Sequence, residues 1–278
     1  MSTVVPTKSA LSFGGILNSE WIKLRSLRSP FWSYGVVVFM TVALGLLLAA
    51  TLGSDGAPND HSGAQQFALQ APTLSIAFSQ LVACVLGCLV ITGEYGTGMI
   101  RSTLTAVPAR LPALYGKAIV FAVVTFVVSF VTFALTALIT APLLSASTGV
   151  TVDFSDADYW LVLVGGAGYL ALIGVFALAV GAIIRNSAGA IAIVLGLILV
   201  VPTVLSLLAA LTQQPWPLDV SAFLPNNAGA LIFRYPTAAA AGGGSSIALE
   251  TWQGLLVLLA WVAGTLAVAS VLLKKRDA

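Results

Sequence analysis

Residues 159–211 read YWLVLVGGAGYLALIGVFALAVGAIIRNSAGAIAIVLGLILVVPTVLSLLAAL. The stretch carries one charged side chain, Arg185, and the short run Arg185–Gly189 divides it into apolar blocks at 159 to 184 and 190 to 211. Each block has the length a helix needs to cross hydrocarbon, about 20 residues at roughly 1.5 Å apiece. The apolar residues are continuous rather than alternating, which argues against the strands of a membrane barrel. Within such blocks a helix satisfies its own backbone polar groups. The stretch therefore predicts a tight hairpin of two membrane-spanning helices.

The rest of the chain repeats the pattern. Four further blocks lie near 31 to 52, 71 to 92, 118 to 143 and 251 to 273, so the whole predicts an all-α integral membrane protein with six transmembrane helices. Composition agrees. Of 278 residues 59% are hydrophobic and 8% charged, against about a quarter charged in an ordinary soluble domain, and the mean hydropathy is +1.02. No apolar run of signal-peptide kind precedes the first block, so the first span is expected to be retained.

Charge gives the expected orientation, because basic residues flanking apolar spans are held on the cytoplasmic side. With the N-terminus inside, eleven of the 12 basic residues fall there, among them Lys23, Arg101, Arg110, Lys117, Arg185 and Lys274, and Arg234 alone falls outside. Asp60, Asp153, Asp156, Asp158, Asp219 and Glu250 take the outer side. A multi-pass protein of the cell membrane with both termini in the cytoplasm is the expectation. Cys84 and Cys88 lie one helical turn apart inside the second span and are expected to pack rather than cross-link.

Within residues 1–30, Leu17, Trp21 and Leu24 fall at helical spacing among polar neighbours, the pattern of an interfacial helix lying on the inner leaflet. Pro30 then opens the first span. Outer segments near 53 to 70 and 144 to 158 read as short polar loops. The third, 212 to 250, keeps Trp216, Phe223, Leu231 and Phe233 among its prolines. It is expected to fold back against or into the outer leaflet as short helices, one of them capped by Asn226 or Asn227. Gly165, Gly166, Gly168 and Gly174 permit close helix approach.

Much chemistry is missing. The single histidine, His61, sits in an expected outer loop, and the expected spans hold no Asp or Glu. A Ser-His dyad in the membrane, a histidine metal site and an aspartyl-type intramembrane protease are thereby excluded, and ion-coupled transport through ionisable relays is disfavoured. The chain has no G-x-x-x-x-G-K-[ST]. No catalytic residue, bound cofactor, metal site or nucleic-acid partner is expected; energy for uphill transport would come from a partner.

Between the second and third spans, residues 93–118 read GEYGTGMIRSTLTAVPARLPALYGKA. Glu94 is followed by punctuating glycines, a short amphipathic run from Thr97 to Leu104, then Pro108, Arg110 and Lys117. Alone, the segment leaves two readings open: a basic flank meeting lipid headgroups, or a structured docking surface. Taken with NSEWIKLRSLRSPFW at 18–32, GAIIRNSAGAI at 181–191 and FLPNNAGALIF at 223–233, it resembles the permease subunits of ABC transporters of the ABC-2 type, especially actinobacterial six-span permeases. The resemblance covers essentially the whole chain.

That resemblance implies a type V exporter-like permease fold working with a separate ATPase subunit, which binds ATP and magnesium. It implies a coupling helix within loop 93–117 that docks on that subunit. By position, Glu94, Tyr95, Gly96, Thr97, Gly98, Met99, Arg101 and Leu104 form or border the contact, Arg110 and Lys117 position the loop's return, and Arg185 and Asn186 make a second contact. The helix around Trp21 becomes the family's interfacial connecting helix, and segment 212–250 its re-entrant helices. A second permease copy, identical or related, is implied. An uncharged interior suits export of a hydrophobic or amphipathic compound such as a drug, antibiotic or lipid. The alternatives are a secondary transporter using neutral coordination sites and a non-transport membrane subunit acting as sensor or assembly factor.

Overall fold

A computed structural model describes residues 12–52, 58, 60–99, 110–236 and 247–275. Among these, six helical stretches are long and apolar enough to cross a membrane: Arg28–Thr51, His61–Gly96, Leu111–Thr148, Ala157–Ile184, Ser187–Thr212 and Thr251–Lys275. The helices are α1 (Phe13–Ser26), α2 (Arg28–Thr51), α3 (His61–Thr73), α4 (Ile76–Gly96), α5 (Leu111–Thr148), α6 (Ala157–Ile184), α7 (Ser187–Leu195), α8 (Val201–Thr212), α9 (Trp216–Ala222), α10 (Pro225–Ala230) and α11 (Thr251–Lys275).

The hub is α6, buried on almost every face from Leu163 to Ala182 and packed between α4, α5 and α11. Asp156 starts it, its carboxylate accepting from the Asp158 N–H at 2.9 Å. The α4–α6 seam is the tightest contact, and small residues make it so. A Cβ on Gly87 would run into the Gly174 carbonyl oxygen, and one on Gly174 into the Phe121 ring. Cys88 fills the same seam, its thiol donating to the Ala177 carbonyl at 3.4 Å, and both cysteines are free and buried.

Two spans are much longer than the apolar blocks indicated, and a third carries an irregular turn. The second span begins at His61, not near 71, because Asp60 caps α3 through the Gly63 N–H at 2.9 Å and the helix turns only slightly at Leu74–Ser75 before α4. The expected polar loop is thus partly helix. The third span starts at Leu111, with Pro112 in its first turn, and runs to the left-handed Gly149. Lys117 therefore lies inside α5 rather than in the loop. The fifth span holds a π turn at Gly196–Val200 between α7 and α8.

Segment 212–250 folds, over its described part, into α9, which packs on α8, and into α10 and a 3-10 turn at Leu231–Phe233, which pack on α6 and α11. Gly254 and Gly165 allow the Ala228 and Ile232 carbonyls to approach closely. Neither Asn226 nor Asn227 caps α10, contrary to expectation. Pro225 and Leu224 precede them, placing both in the first turn. Asn227 instead donates to the Ser221 carbonyl at 2.9 Å, and Asn226 to the Ile198 carbonyl in the π turn at 3.3 Å.

Candidate functional site

At one end of the bundle α4 and α6 finish and α5 begins, and α1 lies across them. Ser12 caps α1, accepting from the Gly15 N–H at 3.1 Å. Ile16, Glu20 and Leu24, four residues apart, form its buried stripe. Ile16 rests over Gly116, where a Cβ would crowd it at 2.9 Å. Of the residues expected to mark an interfacial helix, Leu24 faces the protein, Leu17 is half-buried, and Trp21 points outward beside the exposed Ile22. The helix is amphipathic, with one face for the bundle and an apolar face left outside.

Glu20 on that stripe enters a buried ion cluster. Lys117 from α5 bonds Glu20 Oε2 at 2.6 Å and Glu94 Oε1 at 2.8 Å. Lys23, one turn on from Glu20, bonds Glu20 Oε1 at 2.7 Å and the same Glu94 Oε1 at 3.1 Å. Glu20, Glu94 and Lys117 are almost wholly removed from solvent. Burial by itself pushes the Lys23 ammonium down, but the Glu20 hydrogen bond and the two carboxylate charges outweigh it and hold its pKa above the ordinary lysine value. Two carboxylates and two ammoniums thus join α1, the last turn of α4 and the second turn of α5. A buried pair survives only where geometry and added hydrogen bonds offset desolvation, as the doubled bonds do here.

The loop residues leave α4 just beyond. Thr97 closes the helix, its N–H and hydroxyl both donating to the Gly93 carbonyl at 3.1 and 2.8 Å. Gly98 then turns the chain with φ +72°, a left-handed conformation that favours glycine. Gly96, Thr97, Gly98 and Met99 are exposed. Arg101 and Leu104 lie outside the described residues. Arg110 enters α5 at φ 58°, and its guanidinium donates to the Leu273 carbonyl of α11 at 3.2 Å.

The second expected contact sits next door. Arg185 ends α6 in a left-handed turn and lays its guanidinium 5.1 Å from the centre of the Tyr95 ring, a cation–π pairing. Asn186 caps α7, accepting from the Gly189 N–H at 2.9 Å, and Ser187 bonds Thr92 at 2.9 Å. The structure thus brings together the ends of two loops that the sequence presents separately. It also adds Glu20 and Lys23, which sequence reasoning placed only as polar positions on α1.

Among the described residues no group of three His, Cys, Asp or Glu side chains could hold a metal ion. Along α5 the buried hydroxyls of Thr132, Thr136 and Thr140 donate to the carbonyls of Val128, Thr132 and Thr136 in their own helix at 2.6 to 2.9 Å.

The ABC-2 family transporter protein family matches residues 16–210, the greater part of the chain, from the middle of α1's first turns to the end of the fifth span. This chain belongs to that family, and it is an integral membrane permease of the ABC-2 type. No curated protein matches it.

Proposed function

We propose that this permease is the membrane half of an ATP-driven exporter of a hydrophobic or amphipathic compound, working as a pair of permease chains with a separate ATPase subunit. The end carrying α1 faces the cytoplasm, with both termini, and the exposed turn Gly96–Met99 leads into the docking segment that includes Arg101 and Leu104. Arg185 and Asn186 border it.

The carrying observation is the Glu20–Lys117–Glu94–Lys23 cluster. A transporter without its own nucleotide site must convert displacement at a loop into displacement of spans, and a loop on a soft base would absorb the movement. Here the two helices that flank the loop are clamped, through Glu94 of α4 and Lys117 of α5, to each other and to α1. A push on the loop therefore moves α1, α4 and α5 as one body, the rigid-body element alternating access requires. Uncharged span interiors favour an apolar cargo.

Co-purification tests the partnership: the tagged chain is isolated with the products of neighbouring genes, and an ATPase is expected to accompany it. Arg101→Ala should release the ATPase while membrane insertion is retained. Glu94→Ala, acting on the clamp, should leave binding weakened or intact but abolish stimulated ATP hydrolysis. Retained binding and full stimulation in both variants refute the proposal. For the cargo, strains lacking the gene should accumulate a hydrophobic compound; equal accumulation with and without it, across a broad panel, removes the export reading.

A further inference from the structure

Helix α2 meets the bundle through a narrow buried stripe, Val37, Thr41, Gly45 and Ala49, and leaves its other faces open. Along one of these an apolar groove of about 790 Å³ runs between Phe31, Gly35, Phe39, Val42 and Leu46 of α2 and Val128 of α5. From Phe31 to Leu46 it extends about 22 Å at roughly 1.5 Å per residue, longer than the hydrocarbon of one leaflet, about 15 Å. Tyr34 also lines it, but its hydroxyl is bonded to that of Thr125 at 2.8 Å, so the groove presents no unmatched polar tip there. Gly35 has no packing reason within the chain. A Cβ there meets nothing within 4 Å, although glycine weakens a helix interior.

Arg28 stands at the head of the same face. Positions 28, 31, 35, 39, 42 and 46 follow helical spacing, so Arg28 tops the stripe that lines the groove. Arg28, and Arg25 three residues earlier in α1, are exposed, and neither has an ion pair or a side-chain hydrogen bond among the described residues. Trp32, 70% exposed, packs edge to face with Phe31 and marks the level where headgroups give way to chains, at which tryptophan collects. The acids described at this end, Glu20 and Glu94, are buried against Lys117 and Lys23. A second copy of the chain is therefore a poor occupant. Two copies about a two-fold axis share their depth in the membrane, so each would bring its arginines to the level of the other's and offer them no exposed acid.

We propose that this groove holds an anionic diacyl phospholipid, its phosphate on Arg28 with Arg25 alongside, and one acyl chain laid over Gly35 toward Leu46. The guanidinium fork suits the oxygens of a phosphate. Two unpaired cations favour a headgroup of net negative charge over a zwitterion, whose own cation they repel. The chain lies where the missing side chain of Gly35 leaves room. Neither the docking loop nor the ion cluster takes part, so this proposal and the ATPase partnership fail separately.

The test uses the full chain, purified in mild detergent and offered phosphatidylglycerol or phosphatidylcholine with identical acyl chains, with retained lipid and the number of chains read by native mass spectrometry. Phosphatidylglycerol should be held with about tenfold preference, a difference of about 1.4 kcal/mol. Arg28→Gln, at an exposed position, should cut that preference about fivefold. Gly35→Leu, which fills open space in the groove, should cut retention of phosphatidylglycerol about tenfold with a thermal midpoint no lower in lipid-free detergent. Soluble glycerol phosphate should not displace the lipid. Equal retention of both lipids, an undiminished preference in Arg28→Gln, undiminished retention in Gly35→Leu, or displacement by glycerol phosphate would each overturn the proposal. So would a pair of chains that Gly35→Leu separates while the lipid stays bound, which would give the groove to a second copy.

Discussion

Lys117 in α5 and Glu20 in α1, 97 residues apart, meet at 2.6 Å with both side chains almost closed to solvent. Removing one partner of such a pair leaves the other charged in a poor solvent, at a cost of about 3–5 kcal/mol. Lys117→Met should destabilise the permease by that order, and Glu20→Gln somewhat less, because Glu94 still serves Lys117. The double variant should be far better than the sum of the two, since the orphaned charges disappear together. Thermal unfolding in detergent measures all three; additive losses would show that the pair does not act as a unit.

The glycines of α6 separate into those that touch and one that does not. A Cβ at Gly165 would collide with the Ile232 carbonyl of the 3-10 turn, while one at Gly168 meets nothing within 4 Å. Gly165→Ala should therefore destabilise by about 1–3 kcal/mol through overpacking against backbone. Gly168→Ala should stabilise by up to about 1 kcal/mol, because alanine is the better helix former. Unfolding midpoints of opposite sign are expected from two identical substitutions three residues apart; matching signs would contradict the packing described.

That contrast marks what the sequence could and could not convey. Six spans were legible because block length against bilayer thickness depends on composition alone. Boundaries were less so where a polar residue sits inside a helix. Lys117 stood just before the third apolar block on paper, yet α5 begins ahead of it and runs through it, because Glu20 and Glu94 from two other helices neutralise it. The cluster had one faint signal: Glu20 and Glu94 are, apart from Asp277 at the C-terminus, the acids on the side expected to hold the basic residues. Which of Gly165 and Gly168 faces a neighbour depends on helix rotation, and no periodicity is visible where every face is apolar.

The two ends of the bundle should respond to opposite extremes of pH. At the end where α6 starts, the Tyr235 hydroxyl donates to Asp156 and holds its carboxyl below the ordinary value of 3.8, with His61 3.9 Å away adding in the same direction. A depressed carboxyl pKa contributes stability that is present above its unfolded value and lost as pH falls through the folded one. At the other end Lys23 is raised above 10.5, so its contribution is present below that value and lost as pH rises through the folded pKa. Tyr235→Phe should flatten the acid limb of a stability-against-pH curve and leave the alkaline limb untouched; Glu20→Gln, which takes a carboxylate from Lys23, should flatten the alkaline limb. Unfolding midpoints across pH 3 to 12 check both, on about the scale of ordinary carboxyl and lysine titrations.

The Arg185–Tyr95 contact joins the loop ends after α4 and α6, and its physics predicts which substitutions spare it. The attraction comes from the ring face, so phenylalanine preserves it and leucine does not. Tyr95→Phe should be nearly neutral in stability, while Tyr95→Leu and Arg185→Leu should each lose the pairing, worth about 0.5–2 kcal/mol for a half-buried site. Because Arg185 is also the left-handed residue ending α6 at φ 59°, Arg185→Gly separates its two roles: the backbone gains about 1 kcal/mol from glycine's freedom at that turn and the ring loses its cation. A double-mutant cycle between Tyr95→Leu and Arg185→Leu should return a coupling of that cation–π size. Zero coupling would mean that the two loop ends are held together by the Ser187–Thr92 hydrogen bond and the α4–α6 seam instead.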